Sequence, residues 1–120
     1  MVVKMEQVLS ELNPDEPNYL EAARLGPEAL PHLEVLVNSA DPLLASKATY
    51  MTSLIQDEKS VTILRIAAHS DFPEVRVTAA AASRNLRVNA VNDVLNSLKN
   101  DQDAGVRKQA LKSIQSTGSS

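Results

Sequence analysis

Asp71-Phe72-Pro73-Glu74-Val75-Arg76-Val77-Thr78-Ala79-Ala80-Ala81-Ala82 reads as a helix start followed by an apolar stripe. Proline suits the first helical position, because the N–H it lacks would have no intrahelical partner there. Val75 and Ala79, four residues apart, fall on one face of the helix that follows. The framework Pro-x-Val-Arg-x-x-Ala then recurs at a constant step. Pro42, Pro73 and Ala104 stand 31 residues apart in succession, as do Leu44, Val75 and Val106, and Ala48, Ala79 and Ala110. Upstream, Leu33, Leu64 and Leu95 keep the same 31-residue stride, and so do Leu36, Ala67 and Leu98. One helix pair cannot bury its apolar face alone, so a period of this size predicts stacked pairs sharing a core.

Read outward from that stretch, the chain divides into eight predicted helices in four antiparallel pairs, with no convincing strand. Helical spacing runs from Met1 to Leu12, is broken at Asn13-Pro14-Asp15-Glu16-Pro17, and resumes from about Pro17 to Leu25. Shifted back by 31, Leu33 lands on Val2, Leu36 on Met5 and Met51 on Leu20, but Ala48 lands on Pro17. Residues 1–25 are therefore expected to form a degenerate capping pair. Gly26-Pro27 stops one helix and starts the next. Further helices are predicted over 27–38, 42–55, 60–69, 73–86, 90–99 and 104–115, so that 26–116 hold three repeats of 31 residues within the same single domain. A disordered tail is expected at 117–120. Val61-Thr62-Ile63-Leu64 is β-branched, but its place in the register outweighs that local preference.

Composition narrows the chemistry. At 120 residues the chain suits one domain, with 43% apolar but only 2% aromatic residues: Tyr19, Tyr50 and Phe72, without Trp. A core of Leu, Val, Ile and Ala favours closely approaching helices over a cavity for a large flat cofactor, so no cofactor is expected. There is no Cys, hence no disulfide, thiolate metal site or cysteine nucleophile. Glu6 follows Met1-Val2-Val3-Lys4 closely, leaving no secretory apolar segment, and no run approaches the ~20 residues of a membrane span. A soluble cytoplasmic protein without a membrane partner is the expectation. The net charge of −3 hides an asymmetry: residues 1–60 carry 4 basic and 10 acidic side chains, residues 61–120 carry 8 and 5. A mixed solvated exterior and a monomer are expected, with head-to-tail docking of an acidic end on a basic end as the alternative.

The segments Asp41-Pro42…Ala48, Pro73-Glu74-Val75-Arg76…Ala79 and Val106-Arg107…Ala110 resemble the HEAT repeat, and most of all its short variety, the HEAT-like repeats of phycobilisome-lyase-type proteins. The resemblance covers Gly26 to Ile114. It implies an all-α, right-handed α-solenoid (armadillo-type superhelix) in which the second helix of each pair lines the concave side. It also implies a hydrogen-bonded ladder between neighbouring repeats, made by an Asp in the turn and the Arg after Val. On this chain those positions are Asp41, Asp71 and Asp103, with Arg76 and Arg107. Ala45 stands where the first repeat would have Arg, Asp71 sits one position early, and Gly105 falls in the first turn of the last helix. The ladder is thus expected between the second and third full repeats.

No constellation for catalysis is apparent. His32 and His69, the only histidines, lie 37 residues apart without metal-ligand spacing; His32 fits a packing position and His69 a helix end, where an imidazole meets free carbonyls. Asp15-Glu16, Asp57-Glu58 and Asp101/Asp103 fall in turns, where capping explains them. Gly26, Gly105 and Gly118 offer no phosphate-cradling loop. Arg84, Arg87, Arg107, Lys108 and Lys112 make a modest basic group near the C-terminal helices. The candidate binding surface is the concave face, from the columns Lys47/Thr78/Gln109 and Tyr50/Ala81/Lys112 together with Arg84. An exposed Tyr50 would give much contact area for little side-chain entropy. The expected function is a non-enzymatic scaffold or adaptor that binds another protein on that face. The resemblance to phycobilisome-lyase-type proteins implies a rival, a phycobilin lyase-like protein or lyase subunit. A resemblance to HEAT-like DNA glycosylases implies a nucleic-acid binder, which the net acidity disfavours.

Overall fold

A computed structural model describes residues 2–118, and every regular element among them is helical. Eight α-helices follow one another: α1 (Met5–Leu12), α2 (Tyr19–Ala22), α3 (Leu30–Leu36), α4 (Pro42–Ser53), α5 (Glu58–Ala68), α6 (Pro73–Ala82), α7 (Val88–Leu98) and α8 (Ala104–Gly118). Short 3-10 turns at Ala23–Leu25, Pro27–Ala29 and Ser83–Asn85 tighten the junctions.

Local chemistry sets most of the starts. Proline is the first residue of α4 and α6. Asp41 Oδ1 accepts the Leu43 N–H at 3.0 Å, Asp57 Oδ1 that of Lys59 at 2.8 Å, and Asp103 Oδ1 that of Val106 at 3.0 Å. Gly26 takes φ 77°, which a side chain would resist, and so lets the chain leave one helical turn and enter Pro27. Gly105 has a different reason: a Cβ there would stand 3.1 Å from Asp103 Oδ1, the oxygen that caps this helix.

Several boundaries differ from the sequence-based expectation. α2 is a single turn beginning at Tyr19 rather than Pro17. Pro27 and Pro31 remove two N–H donors, and α3 begins only at Leu30, after a 3-10 turn. α6 stops at Ala82, and the segment expected to continue it tightens, with the Ser83 hydroxyl donating to the Ala80 carbonyl. The β-branched stretch at 61–64 lies wholly inside α5. α8 runs on to Gly118, into the expected tail, while Ser119 and Ser120 lie outside the described residues.

Helices that alternate in the chain are neighbours in space. α2 lies against α4, α4 against α6 and α6 against α8, while α1 touches α3, α3 touches α5 and α5 touches α7. Ala48, Ala79 and Ala110 are wholly buried, as small side chains must be where helices approach closely. Two apolar clusters result. One holds Val8, Leu12, Leu30, Leu33, Met51 and Ile63; the other holds Leu64, Val75, Val94, Leu95, Leu98 and Val106. α4 and α5 contribute to both, Ala48 and Ile63 to the first, Ala45 and Leu64 to the second.

An arginine links the turns, with a different acid from the one expected. Arg76 Nε donates to Asp101 Oδ2 at 2.8 Å and Nη2 to Asp101 Oδ1 at 3.2 Å, both side chains being 9% exposed. Neither Asp71 nor Asp103 takes this role: Asp103 is occupied as the cap of α8, and Asp71 lies one residue before the uncapped start at Phe72. Asp101 belongs instead to the column Ser39/Ser70/Asp101, one stride apart. Each of these side chains accepts the backbone N–H two residues on, at 3.0, 3.1 and 2.8 Å. The arginines repeat as well: Arg76 Nη1 donates to the Ser70 carbonyl and Arg107 Nη1 to that of Asp101, each six residues back. Burial alone would raise the Asp101 carboxyl, but the Arg76 hydrogen bond, the Asp103 N–H and the charges of Arg76 and Arg107 outweigh it and hold the group below its usual range. Asp41 acts only as the cap of α4, in keeping with Ala45 where an arginine would be needed.

Candidate functional site

Tyr19, the first residue of α2, and Tyr50, on the third turn of α4, meet edge to face with ring centroids 4.8 Å apart. Asn18 fixes the first of them by accepting the Glu21 N–H and so starting the one-turn helix. Both rings are half-buried. The Tyr19 phenol is pushed above its ordinary pKa, first by burial and then by the neighbouring Tyr50.

One turn before Tyr50, Lys47 reaches across to the end of α1. Its ammonium donates to the Leu12 carbonyl at 3.1 Å and the Pro14 carbonyl at 2.8 Å. The Leu12 carbonyl ends α1 without an intrahelical partner and that of Pro14 lies in the turn just beyond it, and a cation is a natural cap for such a helix end. Around this frame lies an open depression of about 480 Å³, lined by Asp15, Tyr19, Leu43, Ser46, Lys47, Tyr50 and Thr78. Leu43 is 63% exposed at its edge. The Ser46 hydroxyl oxygen is shielded from solvent with no hydrogen-bond partner, while the Thr78 hydroxyl donates to the Glu74 carbonyl.

Three of the seven residues expected on the binding face, Lys47, Tyr50 and Thr78, therefore share this depression. Ala81, Arg84, Gln109 and Lys112 are not part of its lining. Arg84 is exposed and turns back to the Ala81 carbonyl at 3.3 Å, Gln109 is half-buried and donates to Ser113 Oγ at 3.4 Å, and Lys112 is exposed on α8. Lys47 is a brace rather than a free contact. Tyr19 was missed, although the stride itself pointed to it: Tyr19 stands 31 residues before Tyr50. Leu43 had no comparable signal, because its column continues as Glu74 and Gly105.

A wider hollow of about 590 Å³ lies beside α5, between Val37, Arg65, His69 and Phe72. Its polar groups are helix-end furniture. His69 Nδ1–H donates to the Arg65 carbonyl at 2.9 Å, and Arg65 faces Asp93 at 3.7 Å in an exposed pair that contributes little. His32 is half-buried, with Nε2–H on the Val3 carbonyl at 2.7 Å. Among the described residues no three His, Asp or Glu side chains are grouped to hold a metal ion, and no helix is long and apolar enough to cross a membrane. The tyrosine-lined depression, with its aromatic pair and exposed leucine, is the better-equipped surface. No protein-family model and no curated protein matches the chain.

Proposed function

We propose that this protein is a small interaction module, a short right-handed α-solenoid of HEAT-like helix pairs that receives a partner protein on the face of its second helices. In this arrangement residues 1–25 act as an end cap and 26–116 as three repeats. The neighbour relations α2–α4–α6–α8 and α1–α3–α5–α7, and the hydrogen bonds that recur one stride apart, support it.

The observation that carries the functional part is the depression around Tyr19 and Tyr50. It offers what an anchor residue of a partner needs: two half-buried rings and the exposed Leu43. A binding role also suits Lys47, whose ammonium is held by two carbonyls rather than poised as a nucleophile or base.

Affinity capture from the native lysate, comparing the unaltered chain with Tyr50→Ala and Leu43→Ser, tests this. The expected result is a partner retained by the unaltered chain and lost, or bound at least ~10-fold more weakly, by both variants at unchanged helicity. A partner held equally by all three chains would remove the depression from consideration.

A further inference from the structure

Isolated exposed leucines are ordinary on protein surfaces. What singles out three apolar residues here is that their counterparts one stride away are covered. Thr49 and Ala80 are fully buried on α4 and α6, yet Leu111, next in the same column, is 51% exposed on α8. Met51, Ala82 and Ser113 are fully buried, yet Leu20, the first in their column, is 75% exposed on α2. Leu33, Leu64 and Leu95 are at most 1% exposed, yet Val2 before them is 80% exposed. Leu20 and Val2 belong to one end of the chain of helix contacts and Leu111 to the other. Toward either end of the described residues, then, an apolar side chain stands exposed at a position that the inner helices cover: Leu111, whose column is covered at Thr49 and Ala80 and open at the polar Asn18, and Leu20, whose column is covered at Met51, Ala82 and Ser113.

The charges around these positions are opposite. Residues 1–25 carry five acidic and two basic side chains, net −3, while α8 carries Arg107, Lys108 and Lys112 and no acid, net +3. On α8, Arg107 and Lys108 precede Leu111 by four and three residues and so flank it on the same face. Two copies meeting α8 to α8 would set like charges against each other. The acidic end meeting the basic end brings opposite charges together and covers Leu111 and Leu20 at once.

We infer that a second copy of this chain docks head to tail, its α1–α2 end on α8 of the first. The contact is heterologous, because the two surfaces differ, and each addition leaves a fresh end of either kind open. This goes beyond the proposed binding of a partner at the tyrosine depression; the two leucines it rests on, Leu20 and Leu111, are not part of that lining, although Asp15 and Tyr19 lie on the same end, and it takes up the alternative to the expected monomer.

Sedimentation velocity over a wide range of loading concentration, at low and high salt, tests the inference on the whole chain. The unaltered protein should sediment faster as concentration rises, without levelling at a dimer, and should revert toward monomer when salt screens the ends. Leu111→Ser and Leu20→Ser change exposed residues and should keep the helical spectrum and the melting temperature. Each should weaken association about tenfold or more, the loss expected from uncovering one leucine. Mixed in equal amounts they retain one intact surface each, so the mixture should stop at a 1:1 dimer. A monomer at every concentration and salt overturns the inference. So does association that both substitutions leave unchanged, or a mixture that grows beyond the dimer.

Discussion

Arg76 divides its guanidinium between two turns, the Ser70 carbonyl before its own helix and the Asp101 carboxylate before α8. Removing the acid leaves a buried cation facing a single carbonyl. Breaking a buried pair in this way costs about 3–5 kcal/mol, and the surviving Ser70 bond puts Asp101→Ala near the lower figure, about 3 kcal/mol in denaturant unfolding. Asp101→Asn separates charge from shape. Because the carboxyl is held below its ordinary 3.8, the folded chain takes up this proton less readily than the unfolded chain. The stabilisation is complete above that value and is lost as pH falls through the lowered folded-state value. The stability gap between the unaltered chain and Asp101→Asn should therefore be constant near neutrality and close below pH 3.8. A gap that persists unchanged in acid would mean that Asn is losing packing rather than charge. Lys47 supports a second expectation at this scale. Lys47→Met removes two charge-assisted bonds from the end of α1 and should cost about 1–2 kcal/mol. The loss should appear as faster amide exchange in α1, measured by NMR, with little change in α7.

Single helices meet through their alanines. Ala79 is wholly buried on α6, which has α4 and α8 as neighbours, so a larger side chain there has no space to enter. Ala79→Leu should cost about 1–3 kcal/mol and lower the melting temperature by several degrees, whereas Ala81→Leu, at a half-buried position, should cost less. An Ala79→Leu chain melting with the parent would contradict close approach at this position. The alanine positions were legible in the sequence because a constant stride is itself a spatial statement. So were the starts at Pro42, Pro73 and Ala104, each matching the predicted residue. Lengths were less legible: α2 shrinks to a turn and α6 ends early, since a 3-10 turn depends on hydrogen bonds that periodicity does not encode. The candidate site divides the same way. Tyr50 and Thr78 fell out of the columns, but the destination of Lys47 did not, because its acceptors are backbone carbonyls 35 and 33 residues away that no residue type marks. Asp101 was not legible because the column Ser39/Ser70/Asp101, in which two of three residues are not acidic, is what marks the turn position.

At the scale of the whole molecule, the proposed stack of helix pairs predicts that stability is distributed by neighbours. When each helix pair packs only on the next, global stability approximates a sum of pair stabilities and interfaces, and the ends can open without the middle. α4, α5 and α6 have helices before and after them in the chain of contacts, and α4 and α5 supply residues to both apolar clusters. α1 and α2 join that chain at one end only, as do α7 and α8. Native-state hydrogen exchange should follow this gradient, with the slowest amides around Ala48, Leu64 and Ala79 and faster exchange toward α1 and α8. Raising protein concentration sharpens the expectation. If copies dock through Leu111 and Leu20, amides of α8 and α2 gain protection as concentration rises, while those of α5, already at the ceiling set by global unfolding, do not. A chain whose α1 and α8 exchange as slowly as α5 at high dilution would instead be one cooperative block, and its stability would not be a sum over neighbours.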